Sequence, residues 1–416
     1  MKSAMIKKCI CLVFCLMAVG HALSQKEYKT LRTYIKKGGN LAQTMAVVQA
    51  AEKDDELKDD PELYFLAACV QRKANDAENT KIYLKQAYDT VSFFNTTYGM
   101  FDYLIKCDQK DQLPDAKGKV KIRYRSRSYN ILKDYYSNIY NAGLFFTQKK
   151  DYQNGRKFFS MYIDAASTPI FEKDHLLEND NMMPRAAFWC MANSFELKDY
   201  ANVFKYSDLA ARDTANTDLY LQYRAISYAA LKQMDNYEKE LLRGMKEEPN
   251  DMFFFTNLTD YYNSTHNYAK SLSLADSMLQ MDGRKNIYKF AKTVVLYHLK
   301  DYNACINLAT EVLAADSANA DAYFYAGSSY FSQAVEIDDN IKPNINAKEY
   351  AAQKSRVKEI MKTALPYLER YKALRPDDKD RWAPLLYRTY LTLNMGKQFA
   401  EIDKLLLQEQ EAQKKK

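Results

Sequence analysis

The sequence predicts an all-α protein of packed helical hairpins, and three observations carry that expectation. The chain holds 11 Gly and 9 Pro in 416 residues, too few to punctuate a many-stranded sheet. Apolar and aromatic residues recur at intervals of three and four, as in "LYFLAACVQRK" (63–73) and "AKSLSLADSMLQMD" (269–282), which is the period of a helix with one buried face. Short polar turns, such as "DDP" (59–61) and "EEPND" (247–251), separate the periodic runs.

The chain opens with a candidate export signal at 1–24. Lys2, Lys7 and Lys8 precede an apolar run of 12 residues from Cys9 to Gly20. Ala22-Leu23-Ser24 then places small side chains at the positions a signal peptidase reads. The run is too short to be retained as a membrane span. Phe14 before Cys15 departs from a lipoprotein signal, which needs a small residue there. Cleavage after Ser24 is expected to leave 392 residues and to lower the net charge from +7 to +4 by removing three lysines. No later apolar run approaches spanning length, so the expected mature chain is soluble and exported, with no transmembrane span. Cys69, Cys107, Cys190 and Cys305 remain in apolar helical contexts with no CxxC pair. They read as buried free thiols, and a disulfide between distant helices stays open.

Next in order, "GGN" (38–40) separates two short helices, and 61–89 reads as a helix pair. Four later stretches resemble one another: "KDYQNGRKFFSMYID" (150–164), "KDYANVFKYSDLAARD" (198–213), "HNYAKSLSLADSMLQMD" (266–282) and "KDYNACINLATEVLAADSANADAY" (300–323). Their tyrosines are Tyr152, Tyr200, Tyr268 and Tyr302. The last two lie 34 residues apart, and "NYEKELLRGMKEEP" (236–249) fills the double interval before them. Small and bulky residues also recur on the preceding helices. The sets are Tyr323, Ala326, Gly327 and Tyr330; Phe255, Leu258, Thr259 and Tyr262; and Phe188, Met191, Ala192 and Phe195. Cys305, Ala309 and Val312 extend the pattern to a second helix. Ala364, Leu368 and Pro376 do so later, and Trp382 with Leu385 begins another unit.

This pattern resembles the tetratricopeptide repeat. The resemblance implies a tetratricopeptide-type helical-hairpin solenoid wound as a right-handed superhelix. On that reading 25–135 forms N-terminal helical pairs with a weaker match, 136–410 forms the repeats, and 411–416 is a polar basic tail. Insertions fall at 167–184 and 331–362, where solenoids often carry binding. Arg224 and Lys292 depart from the pattern by standing at apolar positions. One continuous stack without a domain boundary is expected. The signal and the tyrosine-rich composition also resemble those of Gram-negative envelope proteins of the Bacteroidetes type, which implies a periplasmic location.

Catalytic chemistry finds little support. No HExxH, GxSxG, GxGxxG or P-loop spacing occurs, so no cofactor and no catalytic residue is assigned. Asp54-Asp55 and Asp338-Asp339 read as solvated turn charges. Glu172, Asp174, His175 and Glu178 are the best metal candidates, but an exposed loop explains them, and no metal site is assigned. The Asp-rich "EIDDNIKPN" (336–344) lacks the glycine and terminal glutamate of a calcium loop.

"KGKVKIRYRSRSY" (117–129) places a cation at every second position up to Arg127. Read as a helix from about Asp115, it puts Val120, Tyr124, Ser128 and Ile131 on one stripe and fans the cations over the rest. Lys119, Lys121, Arg123, Arg125 and Arg127 then read as a solvated face or as a patch for an acidic partner such as an anionic envelope surface. Export argues against nucleic acid.

The tetratricopeptide resemblance implies protein or peptide recognition in a concave groove lined by first helices. In register, the groove candidates are Tyr140, Leu144 and Thr147; Thr256, Asp260 and Asn263; and Phe324, Ser328 and Phe331. Phe188, Phe195, Phe290 and Tyr297 read as packing residues. The expectation is a non-enzymatic periplasmic scaffold or adaptor, in an envelope assembly or secretion complex. The alternatives are a glycan-binding protein of a SusD-like outer-membrane uptake system and an enzyme with its site in an insertion.

Overall fold

A computed structural model describes residues 26–115, 117–281, 285–342 and 344–414. The candidate signal at 1–24 lies outside the described residues, which are helical with no strand. The chain forms two compact units that meet at Pro249 and Asn250, inside the polar "EEPND" turn. The expected single stack without a boundary is therefore replaced by two bodies.

Unit 1 begins with α1 (26–37), α2 (Leu41–Ala51), α3 (Pro61–Tyr83) and α4 (Thr90–Asp111). It continues with α5 (Arg125–Leu132), α6 (Tyr136–Gln148), α7 (Tyr152–Ala166), the short α8 (Leu176–Asn179) and α9 (Met183–Glu196). It ends with the short α10 (Ser207–Ala210), α11 (Thr217–Ala230) and α12 (Met234–Glu247). Unit 2 comprises α13 (Met252–Ser264), α14 (Tyr268–Met281), α15 (Lys285–His298) and α16 (Tyr302–Ala315). The longer α17 (Ala320–Asp339) and α18 (Ala347–Leu374) follow, then α19 (Lys379–Leu393) and α20 (Gly396–Lys414), which absorbs residues 411–414 of the expected tail.

The recurring Lys-Asp-Tyr has a backbone explanation. Lys198, Lys232, His266 and Lys300 lie 34 residues apart, and all have positive φ, from 56° to 61°. Each ends a first helix in the left-handed conformation. At Lys300 the N–H reaches back to the Tyr297 carbonyl (3.0 Å), and the N–H of Asp301 reaches the Leu296 carbonyl (3.0 Å). This doubly bonded stop satisfies carbonyls that the helix end leaves unpaired. The Asp301 carboxylate then accepts the Ala304 N–H (3.1 Å) and starts α16, so one turn both stops a helix and caps the next. The same stop and cap occur at Lys150-Asp151. This strict 34-residue helix-turn-helix spacing is the tetratricopeptide period.

The 198–213 stretch differs from its expected helix. The Asp199 carboxylate is shared between Arg156 (2.5 Å) and the Asn202 side chain (2.9 Å), and the chain winds as a 3-10 turn (Asn202–Phe204) before α10. Arg224 and Lys292, the out-of-pattern cations, are also paired. Arg224 forks onto Glu240 at 2.8 and 3.0 Å, and Lys292 meets Asp276 at 2.6 Å.

Helices approach closely where a side chain is missing. A Cβ on Gly143 would lie 2.8 Å from the Phe159 ring, and one on Gly327 would lie 2.8 Å from Leu368. Neither insertion is a free loop. Ile170 and Phe171 of 167–184 are buried in unit 1, and Phe171 packs on Tyr136 at 5.2 Å. The 331–362 segment lengthens α17 and α18, which bury Ala334, Val357 and Met361 between them.

Candidate functional site

In unit 2 the first helices α13, α15 and α17 enclose a groove of about 740 Å³, and Arg381 of α19 closes one side. Helical periodicity sets what α13 contributes. Phe254, Phe255, Leu258 and Tyr262 are buried, which turns Thr256, Asp260 and Asn263 (i, i+4, i+7) toward the groove. On α15, Tyr288, Ala291 and Val295 are buried, and Phe290, Val294 and Tyr297 line the opening.

The far wall is aromatic. Tyr325 packs against Phe290 (6.1 Å) and Tyr297 (5.4 Å), and Phe324 meets Tyr325 edge-on at 5.3 Å. The Arg381 guanidinium lies 3.8 Å from the Phe324 ring centroid and donates to the Asp321 carboxylate at 2.8 Å. That pair is neutral overall and locked in place.

Asp260 is different. Its side chain lines the groove but is exposed, among the described residues it has no hydrogen bond or ion pair, and partial loss of water raises its carboxyl above the ordinary value. Beside it, Asn263 Oδ1 and the hydroxyl of Thr259 have no hydrogen-bond partner among the described residues. His298, at the end of α15, is pushed below the ordinary imidazole value by burial, with His266 adding repulsion, so it is neutral near pH 7. Asp260 is therefore the uncompensated charge of this groove.

Four of the nine groove candidates meet here: Thr256, Asp260, Asn263 and Phe324. The others do not. Tyr140 is buried by α7, with Phe159 and Tyr162 each 5.5 Å away. Thr147 exchanges hydrogen bonds with Asn193 (2.9 and 3.1 Å), and Leu144 is half-buried. Ser328 is fully buried beside Gly327, where helices touch too closely for an open groove. Phe331 packs on the Val357 and Met361 cluster made by the lengthened hairpin.

Phe290 and Tyr297, expected as packing residues, pack on Tyr325 and also line the groove, whereas Val294 and Arg381 were not among the expected groove residues. The buried set on this helix is Tyr288, Ala291 and Val295, with Ala291 also reaching the groove wall. Fixing that set as the core face turns Phe290, Val294 and Tyr297 outward.

The basic stretch is not a helix from Asp115. Gly118 (φ 75°) turns the chain beside Asp115, and α5 begins only at Arg125. Val120 and Ile122 are consequently exposed, while Ser128 and Ile131 are buried. Two of the five patch cations serve the fold. Arg125 forks onto Asp108 at 2.7 and 3.1 Å, and Arg123 Nε reaches Asp111 at 3.2 Å. Both carboxylates are buried at the C-terminal end of α4, where the helix dipole disfavours negative charge, so they require cations. Lys119, Lys121 and Arg127 remain exposed.

Among the described residues no group of three or more His, Cys, Asp or Glu is arranged to hold a metal, and Asp174 accepts a hydrogen bond from Tyr129 (3.1 Å). Nor is any described helix long and apolar enough to cross a membrane. All four described cysteines are free thiols.

No protein-family model matches the chain, and no curated protein matches it. Among solved structures, a TPR repeats protein from Bacteroides fragilis is similar at 15% identity and a TM-score of 0.30, covering 62% of this chain and 98% of its own. The C-terminal part of a TPR repeat-containing protein from Cytophaga hutchinsonii is similar at 12% identity and a TM-score of 0.38, covering 63% and 98%.

Proposed function

We propose that unit 2 docks a segment of another protein in the groove between α13, α15 and α17, and that the chain is a non-enzymatic interaction module. The groove carries this reading. It is about 740 Å³, walled by aromatic rings held in place by their neighbours, and rimmed by a few polar groups. Rigid aromatic walls suit an anchor side chain of a docked peptide, and the first-helix backbones keep them there. The export signal expected at 1–24 supports a periplasmic setting for that encounter, and we propose an envelope assembly or secretion complex as its context. The exposed Lys119, Lys121 and Arg127 offer a secondary contact for an anionic envelope surface. Glycan capture, the alternative, favours flat exposed rings. Trp382 is buried under Lys372, and Trp189 is half-buried against Phe188.

Selection of random 12-residue peptides on the mature chain tests the proposal. Selected peptides should bind with Kd on the order of 10 µM and lose about tenfold or more in affinity on the Val294→Arg variant, whose new side chain fills the groove. Failure to select any peptide, or binders indifferent to Val294→Arg, would overturn it. Binding of an oligosaccharide array sensitive to the same variant would favour glycan capture.

A further inference from the structure

The groove has a charge signature that names the chemistry of its occupant. Besides Tyr297 and Tyr325, whose phenols burial raises and keeps neutral, its titratable side chains are Asp260, His298, Asp321 and Arg381. Arg381 is matched within the protein, by Asp321 at 2.8 Å and Asp378 at 3.6 Å, and His298 is neutral near pH 7, which leaves the Asp260 carboxylate without a cation. The walls around it include the rings of Phe290, Tyr297, Phe324 and Tyr325, whose π-electrons also attract cations. One cation already uses this surface, since the Arg381 guanidinium sits 3.8 Å over Phe324.

We infer that the segment docked in this groove presents a Lys or Arg side chain to Asp260, next to an aromatic or aliphatic anchor that packs on Phe290 and Phe324. This rests on the docking proposed above and gives it a sign. A basic side chain meets an unpaired carboxylate and ring faces together, whereas a carboxylate in the same place meets only repulsion. The Asp260 carboxylate is exposed in the free protein and loses only part of its water. Desolvation holds its carboxyl above the ordinary value in the free protein, and an approaching cation reverses that shift.

The test is a positional-scanning array of capped octapeptides in which each position carries Lys, Arg, norleucine, Gln or Glu in turn. It is read on wild type, Asp260→Asn and Val294→Arg at low and physiological salt. Asp260 makes no internal bond, so Asp260→Asn leaves the fold intact, which a thermal melt checks. At one position Lys or Arg should exceed norleucine by about tenfold, and Asp260→Asn should reduce that preference to less than about twofold. Binding that Val294→Arg abolishes but that ignores charge at every position would overturn this inference and leave groove docking standing. A cation preference that survives Asp260→Asn would also overturn it. No bound peptide on any protein would overturn both.

Discussion

The two units are built from the same turn and the same helix pair, yet they spend their polar side chains differently. In unit 1 the carboxylates that are buried are matched. Asp108 and Asp111 are held by Arg125 and Arg123, Asp213 by Arg185, and Glu240 by Arg224, with each of these carboxylates buried. Its aromatic rings interlock, as in the stacked pair Phe146 and Phe158 at 5.2 Å. In unit 2 some charges are matched as well, notably Arg381 with Asp321. Asp260 is not, and the rings beside it face a cavity. In the docking proposal, that carboxylate is what the partner's cation meets.

The largest expected effect lies in unit 1. Arg125→Gln leaves the Asp108 carboxylate buried without its cation and should cost about 2–3 kcal/mol. Hydrogen exchange read by mass spectrometry should show that loss over 26–249 and not over 250–414. Equal loss in both units would erase the distinction drawn between them. Replacing Arg123, Arg125 and Arg127 together is therefore a test of folding before it is a test of binding.

Next in size is a packing change in unit 2. Gly327→Leu forces a side chain into Leu368 and should cost about 1–3 kcal/mol by chemical denaturation. An unchanged midpoint would mean that α17 and α18 are less closely set than described.

Alkaline pH should also separate the units. Burial pushes the Tyr103 phenol up to about 12, and it raises Tyr136, Tyr162, Tyr206 and Tyr28 in unit 1 further still. In unit 2, Tyr371 and Tyr390 are the strongly raised phenols. An unfolded phenol ionises near 10. A raised folded value means that the neutral form is favoured in the native state. That stability is fully present below about pH 10 and is lost as pH rises through 12 and beyond. Exchange protection in unit 1 should therefore fall before that in unit 2 between pH 10 and 12. The opposite order would contradict the burial assigned to these phenols.

The smallest effect sharpens the repeat itself. Lys300 holds a left-handed backbone that glycine adopts freely, so Lys300→Gly should stabilise unit 2 by about 0.5–1 kcal/mol in thermal unfolding. A loss of stability would mean that the lysine side chain contributes more than its backbone strain costs.

Much of this architecture was legible in the sequence. The 34-residue interval, the alternating helices and Gly327 as a contact point follow from local rules, because helix stops, caps and periodicity are written within a few residues. Four of the six expected α13 and α17 groove residues also emerged, since Thr256, Asp260 and Asn263 share a face on any straight helix. What escaped depends on partners distant in sequence. The basic stretch became a strap because Asp108 and Asp111 on α4 demanded cations. Phe290 and Tyr297 both pack on Tyr325 of α17 and line the groove as well, because α17 lies against α15 there. Arg381 reached the groove from α19, 60 residues beyond Asp321. The division at Pro249 left no stronger mark than any other polar turn.

The most direct measurement places p-benzoylphenylalanine, a photo-crosslinker, at Val294 in the groove or at Tyr83, 86% exposed at the end of α3 in unit 1, and irradiates each protein with an array-selected Lys-containing peptide. The account predicts a covalent adduct at position 294 that an excess of unlabelled peptide suppresses, and none at position 83. An adduct at 83 without one at 294 would show that the partner binds unit 1 and that the open groove of unit 2 is not its site.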